Sequence, residues 1–478
     1  MKKVKVLIIA ALTICVGIPA MAQDDEATIK QITEVIKSKS ADAPAQVKAV
    51  YKKNKKNAAV VTGIGKAYFE IGDTSNAKVY AEYGKTLKYS PAFVLAGDLA
   101  ALNEDGGGAA SEYQQAIYFD KTNEEAYYKY ASVYSKTDPK GAVEKLEELR
   151  AINPNAPVDA LIGRIYFKKS MLPETITSYG KVSRSKLERR DLVDYIMAYY
   201  LSQKYEEGLE LAQYGMTQHP RHGGITRLAF FNAVESKQYE TALKLANELF
   251  TNTDSLKITY LDYPYYGMAY VGLEKYPEAI DAFKKGLEQE FDSKEKKAGV
   301  MKQLSDVYKQ ADDYDNAEKE YGEFIDFVDT PTPEDYSGYA NLYELHAAAT
   351  EDAEAKYTIA KKAEAIYDLM EEKFPSTIDF TTYKKAMLNV RLDPNSTEGL
   401  AKPYFEKLIE LIEPKEEKDA ADNSRLLRSY QYLGAYYFIV ADDKENADIY
   451  WSKVLEVDPE NEQAKQVMAI LHPEQQAQ

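Results

Sequence analysis

Apolar residues recur along this chain at the spacing of amphipathic helices rather than at the alternate positions that are typical of strands. The helical segments are about 12–16 residues long, and Gly, Asp, Asn and Pro separate them, as these residues commonly do between helices. Turn signals of β-hairpins are scarce. The pattern therefore predicts an all-α protein made of many short helices.

The predicted helices pair, and the pairs share one register of residue types. Two stretches show it most clearly: Tyr263-x2-Tyr266-Gly267-x2-Tyr270 with Tyr276-x2-Ala279-x3-Phe283, and Met301-x2-Leu304-Ser305-x2-Tyr308 with Tyr314-x2-Ala317-x3-Tyr321. Equivalent residues of the two stretches lie 38 positions apart. Such a repeat predicts successive helix hairpins, because a small residue on one helix lets its partner approach and large residues fill the remaining space.

The same register extends over nearly the whole chain. The first helix of each pair (helix A) carries a small residue at Gly65, Gly97, Ala131, Gly163, Gly267, Ser305, Ala340 and Gly434. The second helix (helix B) carries an alanine at Ala77, Ala109, Ala142, Ala242, Ala279, Ala317, Ala363, Ala401 and Ala447. A large residue follows four positions later as Tyr113, Leu146, Phe283, Tyr321, Tyr367, Phe405 and Trp451.

This register resembles that of the tetratricopeptide repeat (TPR) family, whose unit is about 34 residues long. The resemblance implies a right-handed α-solenoid, or superhelix, of about eleven helix hairpins, each packed on its neighbours in the chain. It also implies that ligands bind on the concave face lined by helix A. The residues that it places there are Tyr128, Arg164, Phe167, Tyr200, Arg227, Phe231, Met268, Lys302 and Asn341. Aromatic and arginine side chains are common anchors of protein interfaces, so this face would form a groove for a protein or peptide segment.

The register also has departures. At the small position of helix A, the fifth and sixth pairs carry Ile196 and Phe230, so either the register slips there or those helices lie further apart. After Phe324 the pattern loosens, because the two prolines between residues 329 and 333 interrupt a helix. The next pair holds about 11 extra residues between its two helices, around 346–356, relative to the family length. We predict a regular TPR arm over residues 23–328 and a less regular arm with a terminal capping helix over 329–478.

Residues 1–22 have the features of a signal peptide. Three lysines precede an apolar stretch from Val6 to Ile18, and Ala20-Met21-Ala22 offers small residues to a signal peptidase. Lipid attachment at Cys15 is the alternative, although Ile14 stands where lipoprotein signals carry a small residue. We predict export to the periplasm, with a lipid anchor in the outer membrane as the less favoured outcome. No later segment is apolar for long enough to be a transmembrane anchor.

Charge and cysteine content restrict the possible partners. The chain carries 77 acidic and 60 basic residues, a net charge of −17, which repels phosphate backbones. Nucleic acid is therefore excluded as an expected partner. Cys15 is the single cysteine, so a chain cleaved after Ala22 would contain no disulfide and would be held together by packing.

Motifs for catalysis or metal binding are weak. His219 and His222 have the separation of a metal pair, but they flank a proline and no cysteine completes a zinc set. The acidic runs 312–316 and 442–446 fall in turns between helices, where Asp and Asn cap the next helix. No nucleophile or phosphate-loop signature is present. We therefore predict no enzyme activity, no cofactor and no metal.

The function predicted from the sequence is a scaffold that binds a protein or peptide segment in the concave groove, with envelope assembly or secretion as its setting. Two alternatives remain. One is a glycan-binding outer-surface protein of the starch-utilisation type, which would carry a lipid anchor and a lobe outside the repeats. The other is an enzyme with a site in the C-terminal arm, built from some of the many carboxylates.

Overall fold

A computed structural model describes residues 20–254 and 256–473, with side chains described from Asp24 onward. The predicted signal peptide and Cys15 lie outside these residues, apart from the backbone of residues 20–22. The described residues form 25 α-helices and two short 3-10 helices, and they contain no strand. The predicted all-α class is therefore confirmed. None of the described helices has the length and apolar character needed to cross a membrane.

The chain divides into two compact units, one ending at Asn232 and the other beginning at Ala233. The helices of the first unit are α1 Ala20–Ser38, α2 Ala43–Asn54, α3 Ala58–Glu70, α4 Thr74–Thr86, α5 Ser90–Leu102, α6 Gly106–Phe119, α7 Glu124–Tyr134, α8 Pro139–Ile152, α9 Asp159–Phe167, α10 Leu172–Gly180, α11 Arg189–Leu201 and α12 Tyr205–Gln218. A 3-10 helix spans Arg184–Lys186, and α13 (Gly223–Glu235) includes the point of division.

The helices of the second unit are α14 Tyr239–Asn252, α15 Asp262–Val271, α16 Tyr276–Leu287, α17 Lys294–Gln310, α18 Tyr314–Phe327, α19 Pro333–Ala349, α20 Ala353–Lys373, α21 Ile378–Leu392, α22 Lys402–Ile412, α23 Ala420–Ile439, α24 Lys444–Val457 and α25 Glu462–Leu471. A 3-10 helix spans Pro375–Thr377. Within each unit, helices pack mainly on their neighbours in the chain, for example α5 on α6 and α17 on α18. This is the packing of a solenoid of helix hairpins, as predicted.

Small residues of helix A lie under large rings of helix B, as the register predicts. A Cβ atom placed on Gly267 would lie 2.5 Å from the ring of Phe283, and one on Gly163 would lie 2.8 Å from the ring of Tyr179. Carbon atoms pack favourably at about 3.5–4.0 Å, so any side chain at either position would collide with the ring. Close helix approach therefore requires glycine here.

The turn between the two helices of a pair has a recurring backbone geometry. A residue with φ between +50° and +80° occupies it in eight turns: Gly72, Glu104, Ser170, Gln203, Lys237, Glu274, Asp312 and Asp442. In four of these turns the next residue is an aspartate whose carboxylate accepts a hydrogen bond at the start of helix B: Asp73, Asp105, Asp313 and Asp443. The two acidic runs, which include Asp313 and Asp443, therefore cap helices as predicted.

The fifth pair, α11 and α12, keeps its register but exchanges large and small residues. Gln203, the left-handed residue of its turn, stands seven positions after Ile196 and five before Gly208, the spacing found around Glu274 in the α15–α16 pair. Ile196 is fully buried, and so is Ala212, which stands where other pairs carry a large residue. A large side chain on helix A combined with a small one on helix B fills a similar volume. The register therefore does not slip here.

The C-terminal irregularities change helix lengths and connections rather than the fold class. The proline-rich segment separates α18 from α19. The prediction that extra residues lie between the helices of the next pair is wrong, because they lengthen the helices themselves to 17 and 21 residues. The acidic run 413–419 joins α22 to α23. At the end, α25 begins after its cap Asn461 and packs on α24, in the place predicted for a capping helix.

Candidate functional site

Arg164, a predicted groove residue, is held in an ion-pair network within the first unit. Its Nη2 atom lies 2.8 Å from Oδ2 of Asp191 and 2.9 Å from Glu188, and its Nε atom also donates to Asp191. The Asp191 side chain is only 1 % exposed. These hydrogen bonds raise the pKa of Arg164 and keep its guanidinium charged. Arg164 thus links α9 to α11 and has little capacity left for a partner.

Lys302, a predicted groove residue of the second unit, is engaged in a similar way. Its ammonium nitrogen lies 3.0 Å from Oδ1 of Asp335, the carboxylate that also closes the capping box of α19. It stands 5.7 Å from the ring centre of Tyr321 and 5.4 Å from that of Phe324. Burial is the largest single influence and lowers the pKa of Lys302, but the interactions with Asp335 and Tyr321 together outweigh it, so that the pKa is raised. These contacts fix Lys302 between α17, α18 and α19.

The other predicted residues of the first unit are partly or largely buried. Phe231 is 8 % exposed, and its ring centre lies 6.4 Å from that of half-buried Tyr200. The Tyr128 hydroxyl donates to Glu124 at 3.3 Å, and burial raises the pKa of Tyr128 to about 12. Phe167 and Arg227 are half-buried. The structure brings Tyr200 and Phe231 together, with Tyr128 in a separate contact one helix turn from Glu124.

In the second unit, Met268 lies on the wall of a cavity of about 410 Å³, here called the Met268 cavity. Its apolar lining consists of Val234, Met268, Val271, Phe283 and Val307. Tyr239 and Gly272 complete one side, where a Cβ atom on Gly272 would lie 2.3 Å from the Tyr239 ring. Pockets of this volume with mainly apolar walls are typical of ligand sites in proteins. Asn341, the last predicted groove residue, is instead exposed on α19.

Polar side chains surround the apolar lining of the Met268 cavity: Glu235, Lys237, Gln303, Asp306 and Gln310. Glu235 accepts a hydrogen bond from the Tyr265 hydroxyl at 2.9 Å, and Asp306 lies 2.6 Å from the ammonium of Lys309. The side-chain amides of Gln303 and Gln310 form no hydrogen bond with any described residue. Each amide offers a donor and an acceptor, which is what a peptide backbone requires.

The sequence contained a signal for this cavity that the family positions did not reveal. Gln303, Asp306, Val307 and Gln310 follow the i, i+3, i+4, i+7 spacing of one helical face of α17. Lys302, which the resemblance selected, lies beside that face and packs on α18 instead. The spacing therefore identifies a face of α17, but only the packing of neighbouring helices determines whether this face or the adjacent one lines a cavity.

His219 and His222 line an open cleft in the first unit. The other residues of its lining are Arg164, Glu188, Arg189, Arg190, Val193 and Asp194. Burial, followed by the nearby positive charge of Arg189, lowers the pKa of His222, so its ring is mainly neutral at pH 7. Within residues 24–254 and 256–473, neither histidine belongs to a group of three possible metal ligands.

Comparison with solved structures finds TPR proteins. The C-terminal part of a TPR repeat-containing protein from Cytophaga hutchinsonii is 22 % identical, covers 57 % of this chain and 98 % of its own, and has a TM-score of 0.43. A tetratricopeptide repeat protein from Parabacteroides merdae is 13 % identical, covers 53 % and 98 %, and has a TM-score of 0.34. No protein-family model matches the sequence, and no curated protein matches it either.

At these identities and TM-scores, the assignment rests on the helices of this chain and their packing. Helix hairpins follow one another in each unit, a small residue of helix A meets a large ring of helix B, and a left-handed residue recurs at the turn. The resemblance to the family predicts the first two features, and the left-handed residue is a further regularity that the structure adds. The described residues of each unit therefore form a solenoid of TPR-like helix hairpins.

Proposed function

We propose that this protein is a non-catalytic scaffold that binds a segment of a partner protein, and that the Met268 cavity receives an apolar side chain of that segment. The observation that carries the proposal is the combination of an apolar lining with two unpaired glutamine amides at its edge. Burying one large apolar side chain contributes about 1.5–3 kcal/mol. The amides would fix the backbone of the segment, which restricts how that side chain can enter.

This site uses fewer of the family positions than the sequence suggests. Arg164 and Lys302 are committed to ion pairs with buried or capping carboxylates, and Phe231 is largely buried. Alanine replacement at these positions would disturb the packing between helices as well as any surface that binds a partner. Met268 is a predicted groove residue that combines partial exposure with a mainly apolar cavity.

The proposal can be tested with a phage-displayed library of random dodecapeptides selected against the purified chain. Selected peptides should carry a large apolar residue and should bind Met268→Lys at least tenfold more weakly, because a charge would lie in the apolar lining. Leu201→Lys is the matched control, since Leu201 is 53 % exposed and lies in the other unit. Equal affinity of the selected peptides for wild type and Met268→Lys would refute the proposal.

We also propose export with cleavage after Ala22. The basic, apolar and small-residue sequence of residues 1–22 supports it. Intact mass of the protein recovered from its native cells separates the two routes. A chain starting at Gln23 supports soluble export, whereas a diacylglycerol-bearing Cys15 would establish a lipid anchor.

A further inference from the structure

Three potential metal ligands from two different helices converge in the second unit. Asp315 and Glu318 lie three residues apart on one face of α18, and His346 lies on α19. One donor atom from each of the three side chains lies within 4.8 Å of the other two. In residues 24–254 and 256–473, this is the only group of three or more His, Cys, Asp or Glu side chains with that property.

The three side chains are held in different ways. Glu318 is 5 % exposed, and its Oε1 atom lies 2.5 Å from Nδ1 of His346. The His346 ring stacks on Tyr314, with ring centres 5.0 Å apart and planes 7° apart, which fixes its orientation. Asp315 is exposed, and its carboxylate forms no hydrogen bond or ion pair with a described residue. Glu318 and His346 are therefore held together by their hydrogen bond, whereas Asp315 is free to move.

The charges of the group favour a cation. Burial raises the pKa of Glu318, and the hydrogen bond with His346 opposes this shift. Asp315 adds a second negative charge that raises the pKa of Glu318 further, while Lys362 lowers it from the other side. Two carboxylates thus share the site with one imidazole. A divalent ion would relieve this repulsion and replace the proton between Glu318 and His346.

We propose that Asp315, Glu318 and His346 bind a zinc ion that links α18 to α19. Zinc accepts imidazole nitrogen and carboxylate oxygen at about 2.0–2.2 Å, which places tetrahedral ligands about 3.4 Å from one another. Binding therefore needs two movements: the exposed Asp315 rotates inward from a separation of up to 4.8 Å, and the 2.5 Å contact between Glu318 and His346 widens as zinc displaces the proton between them. Water would occupy the fourth position. Calcium is disfavoured, because it requires six to eight oxygen ligands.

The location gives the ion a structural role. The site joins the last regular helix pair to the pair that follows the proline-rich segment, where the repeat loosens. Two aspartates of the acidic run 312–316 have different roles there. Asp313 caps α18, and Asp315 is available to bind the ion. Sequence spacing alone could not show this, because His346 lies 31 residues further along.

The chain contains its own control for this proposal. His472 and Asp448 form a second histidine–carboxylate pair, with Nε2 and Oδ1 2.5 Å apart. No third ligand joins that pair among the described residues. A weak affinity of any exposed histidine for zinc would appear equally at both pairs, whereas a built site would appear only at His346.

The test is a zinc titration of the purified, tag-free chain in competition with a chromophoric chelator. Wild type should bind one equivalent, and Asp315→Asn and His346→Asn should bind at least tenfold more weakly. His472→Asn should retain the affinity of wild type. Zinc should also raise the Tm of wild type and of His472→Asn, but not that of Asp315→Asn.

Asp315→Asn keeps the test decisive if His346→Asn fails to fold, because Asp315 is exposed and forms no hydrogen bond or ion pair with a described residue. Equal zinc affinity of wild type and Asp315→Asn would overturn the proposal. So would a stoichiometric site that His472→Asn removes, or binding of calcium as tight as binding of zinc.

Discussion

The α9–α10 pair of the first unit and the α15–α16 pair of the second share their packing. Each has a glycine on helix A directly under an aromatic ring of helix B: Gly163 under Tyr179, and Gly267 under Phe283. The turns carry left-handed residues at matching positions, with φ values of 56° and 57°. By these two features, the pairs are equivalent.

They differ at the residue that follows the glycine. Arg164 is bound to the buried carboxylate of Asp191 from the next helix A, and Tyr179 also donates to that carboxylate at 3.4 Å. Met268 stands on the wall of a 410 Å³ cavity. The comparison teaches that the repeat determines which residues pack between helices A and B. The helix pair that follows in the chain determines whether the residue after the glycine is bound to a neighbouring side chain or faces a cavity.

The largest effect on stability is expected for Asp191→Ala, which tests whether Arg164 is held by its ion pair. It leaves half-buried Arg164 with Glu188 alone and removes one partner of the α11 capping box. Loss of one member of a buried ion pair costs about 3 kcal/mol. Urea denaturation followed by circular dichroism should show that loss. Asp194→Ala, on the same helix, should change stability by less than about 0.5 kcal/mol, because its partner Arg190 is 3.8 Å away and exposed. Equal losses of stability for the two substitutions would contradict the conclusion that Arg164 is held by the buried carboxylate of Asp191.

The shared packing predicts a smaller effect for Gly267→Ala. The added methyl group would lie 2.5 Å from the Phe283 ring, and overpacking of this kind costs about 1–3 kcal/mol. Gly299→Ala is the matched control, since no atom lies within 4 Å of its would-be Cβ on α17. That variant should gain about 0.5–1 kcal/mol from helix propensity. Thermal unfolding of both variants tests the claim, and a stabilised Gly267→Ala would show that the ring yields.

Most of the fold was predictable because packing between paired helices repeats in the sequence. Glycine under an aromatic ring, alanine on helix B and aspartate at the cap each occur many times, so individual exceptions do not obscure the register. Ile196 is an exception to the small residue of helix A, but the small Ala212 opposite it on helix B compensates for its volume, so the register is kept. The predicted division at 328 stays a prediction, while contacts divide the chain after Asn232.

The candidate site was less predictable, because it depends on contacts between pairs. The sequence placed Arg164, Lys302 and Met268 on one predicted face, but it did not show that Asp191 and Asp335 would satisfy the first two. Each carboxylate lies on the following helix A and serves a helix start as well. Such dual use leaves no periodic trace, so only the folded chain separates closed positions from open ones.

The smallest expected effect on stability is that of Met268→Ala. Replacing a fully buried methionine by alanine lowers the free energy of unfolding by about 2–5 kcal/mol, because it leaves a void. Met268 already faces an open cavity, so less is lost. We expect a loss of about 1 kcal/mol or less in urea denaturation, against about 2 kcal/mol for Arg164→Ala, which leaves Asp191 buried without its arginine. If Met268→Ala proved as costly as Arg164→Ala, Met268 would be a core residue and the cavity would lose its claim as a site. A small stability loss combined with weaker peptide binding would separate the two positions in the way the contacts imply: one maintains the stack of helices, and the other is available to a partner.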